Sequence, residues 1–243
     1  MNHGPLIFLG MLFSVVASWF GLVLGPQLQF GAQEMVYLEE TGESYPSARS
    51  GQAKQGAEVY RAQGCVYCHT QQVRPAGEGA DLARKWGKRR TVSRDYLRDQ
   101  PVMLGRLRLG PDLANLGARE TNAHTLLLKL YNPQITLPGS TMPRHPFLFE
   151  TRKLKPGSAP SPEALALSGI YAPPAGCEVV PRPEAETLVA YLLSLKAEPM
   201  FYELFTEPAP KRATNRVASL TGATNAAPGA ATLDAGTNSP AAK

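Results

Sequence analysis

Gly64-Cys65-Val66-Tyr67-Cys68-His69-Thr70-Gln71-Gln72-Val73-Arg74-Pro75 is the stretch on which the reading of the whole chain turns. Two thiols three positions apart, with an imidazole directly after the second, put three reactive groups on one side of a planar macrocycle. The thiols form thioethers to porphyrin vinyl groups and the imidazole binds iron, so Cys65, Cys68 and His69 are read as the attachment site of one covalent haem c. A redox dithiol and half of a zinc site share the Cys-x-x-Cys spacing. The adjacent His69 argues against the first, and the lack of a second Cys-x-x-Cys or His-x-x-x-His pair against the second. Three cysteines are too few for a disulfide scaffold, and the spare Cys177 is read as a small buried hydrophobe.

Working outward, the iron needs a sixth ligand or an open face, and that choice separates an electron carrier from a catalyst. Beyond Met1 the candidates are Met11, Met35, Met103, Met142, Met200, His3, His124 and His145. Met142 is favoured because Gly139-Ser140-Thr141-Met142-Pro143 is a turn that glycine and proline can hold, with His145 as its rival. His124 reads as a residue near a helix start and Met103 as packing. In Arg108-Leu109-Gly110-Pro111-Asp112-Leu113, the carbonyl of Pro111 can accept the Nδ1 proton of His69 and fix the ring plane.

Residues 5–24 carry no charge and are long enough to cross a ~30 Å hydrocarbon layer as a helix. A retained anchor is preferred to a cleaved signal peptide, because no Lys or Arg precedes the run and no small-residue cleavage site follows Leu24. The first basic residue is Arg49, so charge does not orient the span. The expected organisation is an anchor over 1–30, a linker over 31–50, a mono-haem domain over 51–205 with a Pro-rich surface excursion at 152–183, and a disordered low-complexity tail over 206–243. Within the domain, Ser50 caps a helix that Gly64 ends, and Thr121 or Asn122 caps a second that runs to Tyr131. A third starts at Pro183 with the apolar stripe Ala185, Leu188, Val189, Leu192 and Leu193.

The net charge of +5 comes largely from residues 84–108 rather than from helices with interleaved aromatics, so nucleic acid is not an expected partner. Residues 84–90, with Arg94 and Arg98, form a basic stretch that is a solvated face, a dock for an acidic partner or a contact for haem propionates. No paired acid and base marks a catalytic pocket, and the chain is read as a non-catalytic electron carrier.

These motifs together resemble class I cytochrome c over roughly residues 50–200, in which the first and last helices cross and Gly56 permits close contact near Tyr191 and Leu192. More narrowly, the haem segment with its Thr70–Pro75 continuation is similar to the mono-haem subunit II, FixO or CcoO, of cbb3-type cytochrome c oxidase. Tyr96, Asp99, Pro101, Leu104-Gly105-Arg106, Tyr131-Asn132-Pro133 and Pro138–Pro143 extend the likeness. The resemblance implies a mostly α chain with one N-terminal transmembrane helix. It implies a subunit that relays electrons to the haem-copper catalytic subunit alongside other cytochrome c subunits, single-pass in a bacterial inner membrane with the haem domain periplasmic. It carries His69 and Met142 over as iron ligands and Arg74 as a haem-propionate or subunit contact. The small membrane cytochrome of a nitric-oxide reductase is the alternative, and a gas sensor or enzyme with an open iron face is a third.

Overall fold

The computed structural model describes residues 3–31 and 33–201. Cα packing divides the chain after Glu207, and the tail expected over 206–243 lies outside the described residues. The first element, α1 (Gly4–Trp19), passes through a π turn at Phe20–Leu24 into α2 (Gly25–Phe30). Residues Gly4–Gln29 are long and apolar enough to cross a membrane, and no residue of α1 is buried. A helix that is apolar on every side and covered by nothing in its own fold suits a membrane anchor.

The expected linker is partly structured. It contains an antiparallel hairpin, β1 (Val36–Leu38) with β2 (Glu43–Tyr45), turning at Gly42 in the left-handed region. Helix α3 (Gly51–Ala62) follows, its start held by the Ser50 hydroxyl, which accepts from the Ala53 amide at 3.2 Å. Ala53, Gly56 and Tyr60 form its buried face. Next come the short α4 (Leu116–Arg119) and then α5 (Ala123–Tyr131). Asn122 caps α5 by accepting from the His124 and Thr125 amides, and Leu126 and Leu130 are its buried residues.

The closing helix α6 (Pro183–Ser194) starts on proline with Glu184 and Glu186 at its positive end. Of the expected stripe it buries Ala185, Leu188, Val189 and Leu192 and leaves Leu193 half-buried; it also buries Tyr191, which a purely aliphatic reading omits. Helices α3 and α6 cross in close contact. A Cβ on Gly56 would stand 1.8 Å from the Thr187 carbonyl oxygen, so only glycine lets the two backbones approach this far. Gly117 does the same for α4 beneath the Leu193 carbonyl, at 2.0 Å. Tyr60, Leu113, Leu126, Leu130, Leu148, Leu188 and Tyr191 are central to the core these helices enclose.

The Pro-rich stretch differs from an extended surface excursion. Its ends are two paired strands, β3 (Phe149–Lys153) and β4 (Cys177–Pro181), and Leu165, Val179 and Val180 are buried. Proline punctuation marks its loops but conceals the β-branched pair that closes them. Cys177 is half-buried at the ribbon's end.

Residues 84–90 are likewise not one basic face. Arg89 is only 4% exposed and forks onto Asp95 at 2.8 Å through both terminal nitrogens; it also donates to the Pro199 carbonyl and lies over the Phe201 ring. Asp95 in turn accepts from the Tyr45 hydroxyl at 2.9 Å. Lys88 pairs with Glu198 at the surface, and Arg84 lies over Trp86. Sequence spacing cannot distinguish a solvated arginine from one buried against a carboxylate six residues away along an irregular loop.

Candidate haem site

Gly64 closes α3 in the left-handed conformation and feeds a 3₁₀ turn, Cys65–Tyr67. Chain reversal here is local: the Tyr67 amide bonds the Gly64 carbonyl, and the Cys68 and His69 amides bond that of Cys65. Both thiols are free and half-buried. Burial pushes the Cys65 thiol up to about 11.

His69 is oriented by the chain itself. Its Nδ1 lies 2.8 Å from the Pro111 carbonyl oxygen. A carbonyl only accepts, so Nδ1 carries the proton and Nε2 is left with a free lone pair. Burial pushes the imidazole below its usual value, with the Pro111 bond and Asp112 acting in the opposite direction. Gly110 lies flat against the ring, where a Cβ would stand 2.2 Å from Cε1 and 2.7 Å from Nδ1. The cradle therefore excludes any side chain at 110.

The loop that supplies Pro111 is laced to the haem segment residue by residue. Gly110 N donates to Cys68 O at 3.0 Å, Leu113 N to Thr70 O at 2.8 Å and Gln71 N to Leu104 O at 2.8 Å. Asp112, fully buried, accepts from the Thr70 hydroxyl at 2.6 Å, the Gln72 amide at 2.7 Å and the Ala114 amide at 2.9 Å. A carboxylate with three donors tolerates burial that an unpaired one would not. Gly105, left-handed at φ 72°, fits against the His69 and Val66 carbonyls. Gln71 exchanges hydrogen bonds with the buried Tyr191 hydroxyl and its carbonyl accepts from Tyr96, tying the segment to α6.

Met142 packs against the same core as Cys65 and Val66. Its loop is pinned on both sides. The Met142 amide donates to the Ser140 hydroxyl at 3.3 Å after the left-handed Gly139, and the His145 amide donates to Leu130 O at 2.9 Å on α5. His145 stacks edge-on with Phe147, its imidazole held low by burial with His69 adding to the effect. Met103 packs on the core, and His124 accepts from the Ala166 amide at the start of α5.

Arg74 is held through its amide, which donates to Asp81 Oδ2 at 2.7 Å, and its side chain runs past Gly79. Burial opposes the Asp81 carboxylate, yet its bonds from Arg108 and the Arg74 amide hold it below its usual value. Asp81, which holds the Arg74 amide, is a site-supporting residue that spacing did not flag; Asp112 was visible only as part of the Gly-Pro-Asp-Leu run. A cleft of about 590 Å³ beside the Met142 loop, lined by Tyr131, Arg144, Pro146, Ile170 and Tyr171 among others, includes none of Cys65, Cys68 and His69.

The donor set fits a haem: two free thiols and a neutral imidazole aimed by a carbonyl, over a glycine cradle with room for nothing larger than hydrogen. No curated protein matches the chain. The family model described as "Cytochrome C oxidase, mono-heme subunit/FixO" matches residues 34–168, more than half of the chain and beyond the Met142 loop into the Pro-rich stretch. The geometry at His69 and that match lead to one assignment: the chain belongs to the FixO family of mono-haem cytochrome c oxidase subunits.

Proposed function

We propose that this chain is the electron-relay subunit of a membrane haem-copper oxidase, holding one haem c covalently through Cys65 and Cys68 with His69 and Met142 on the iron. The observation that carries the reading is the His69–Pro111 bond at 2.8 Å over Gly110, which frees Nε2 for a metal. Bound there, haem c supplies a one-electron couple whose potential a thioether ligand raises. The chain's own residues do the rest. Pro111 keeps the imidazole neutral and strongly donating, Asp112 and Gln71 hold the attachment segment rigid, and Ser140 and the His145–Leu130 bond hold the Met142 loop. Rigid ligation limits reorganisation on each electron transfer, which suits a relay better than a catalyst.

The anchor retains the domain at the membrane beside its partners, the haem-copper catalytic subunit and other cytochrome c subunits. Attachment of haem c on the outer side of a bacterial inner membrane places the domain in the periplasm. Arg74 is assigned to a propionate or subunit contact through its guanidinium, while its amide donates to Asp81.

Full-length protein purified in mild detergent tests the reading. Haem should resist acid-acetone extraction in the wild type and become extractable when Cys65 and Cys68 are both serine. The ferric near-infrared charge-transfer band should vanish in Met142→Ala, which should also gain carbon monoxide binding, and a haem-copper catalytic subunit should co-purify. Extractable haem, or carbon monoxide binding to the unmodified ferrous protein, overturns the ligand assignment; co-purification with a nitric-oxide reductase catalytic subunit overturns the partner.

A further inference from the structure

The span ends at Phe30, capped by Gly31, and within three residues the chain is fastened to the folded domain. The Ser93 hydroxyl donates to Gln33 Oε1 at 2.8 Å, and the Arg94 guanidinium bonds the Glu34 carbonyl. Three extended residues reach roughly 10 Å, so this side of the domain is held close to the level at which the span leaves the bilayer.

That side carries exposed apolar side chains. Strand β1 turns Val36 and Leu38 inward onto the small cluster of Tyr45, Val92 and Phe201. Alternation therefore turns Met35 and Tyr37 outward, where they are 50% and 64% exposed. The far end of the described chain arrives at the same place, with the Phe201 ring 5.4 Å from that of Tyr45 and Met200 58% exposed beside it. The sequence then continues Tyr202-Glu203-Leu204-Phe205. Two segments far apart in sequence, both reaching this small cluster, thus leave large apolar side chains exposed, and nothing among the described residues covers them.

We infer that the exposed apolar side chains of this side, Met35, Tyr37 and Met200, rest in the headgroup layer of the same bilayer that the N-terminal helix crosses. The occupant follows from continuity with the span and from residue type: a tyrosine has an apolar ring and a polar tip, the combination favoured at a membrane–water boundary. Glu34, Glu39, Glu40 and Glu43 border the face, so attraction to anionic lipid does not drive the contact. The hairpin tip with Glu39 and Glu40 stays in water while Tyr37 sits at the headgroups. The domain is thereby held by two contacts, a helix and a face, which restricts its tilt over the membrane. The inference depends on the span and not on the haem ligands, so either can fail alone.

Full-length haem-loaded chain, with Cys177→Ser as background, is labelled with an environment-sensitive fluorophore at Tyr37→Cys, Met200→Cys or Met35→Cys. Ala159→Cys, in the solvent-exposed loop beyond β3, is the control. In phosphatidylcholine vesicles carrying a headgroup nitroxide lipid, the first three probes should lose fluorescence and the control should not. The loss should persist at high salt and should not grow with the anionic lipid fraction. Probes at 35, 37 and 200 as unquenched as the control overturn the inference. So does protection of these positions only within an assembled complex, which gives the face to a protein partner.

Discussion

At the scale of single residues, Gly110 and Asp81 make the sharpest claims. A methyl group at 110 cannot coexist with the His69 ring, since its position is 2.2 Å from Cε1. Gly110→Ala should therefore displace the imidazole from Pro111 and reduce haem incorporation and the low-spin spectrum, measured per mole of purified protein, more than it lowers thermal stability. Normal haem content with an unshifted spectrum would show that the cradle is not needed. Asp81 carries a pH dependence. Its carboxylate is depressed in the fold below a usual value near 3.8 by Arg108 and the Arg74 amide, despite burial. A depressed carboxylate adds stability that is present above the unfolded value and is lost as pH falls through the folded one. Acidification below about pH 4 should thus lower the Tm of the wild type more steeply than that of Asp81→Asn. Parallel Tm profiles for the two proteins would refute the Asp81 contribution.

At the scale of elements, the crossing of α3 and α6 sets where Cys65 emerges. Gly56→Ala forces apart two backbones that touch at Thr187, a cost of about 1–3 kcal/mol for overpacking of this kind. The variant should unfold at lower denaturant with an unchanged slope; a midpoint equal to wild type would mean that the helices are free to separate. These helices were legible because their signals are local: a Ser50 cap, Pro183 in a first turn, an apolar stripe with helical period. The β3–β4 ribbon was not, because its partners lie some 24–32 residues apart across a loop whose prolines dominate any local reading. The 31–50 hairpin escaped for a different reason: three-residue strands give too few positions for alternation to register.

At the scale of the whole molecule, Arg89 joins parts of the chain that have no local reason to meet: the post-anchor hairpin through Asp95 and Tyr45, and the C-terminal segment through Pro199 and Phe201. Removing one partner from a buried ion pair costs about 3–5 kcal/mol. Arg89→Ala should approach that loss, measured by denaturant unfolding, whereas Lys88→Glu, at an exposed position, should change stability by less than about 1 kcal/mol. Equal effects of the two would return residues 84–90 to a uniform surface. The same network sets the membrane-facing side, since it gathers both ends of the domain beside the anchor.

The amino-acid sequence alone determined which donors the site offers, because two thiols and an imidazole stand in contiguous spacing at Cys65, Cys68 and His69, and the apolar span is written in uninterrupted composition. Tertiary structure decided that Gly105, Gly110 and Gly117 are obligatory as well as Gly56, which arginine is buried and which apolar side chains are left over. Each of these depends on distances between residues remote in the chain, as Asp112 is from Thr70 and Phe201 from Tyr45. Only the packed fold brings such pairs within reach of a hydrogen bond or a ring contact.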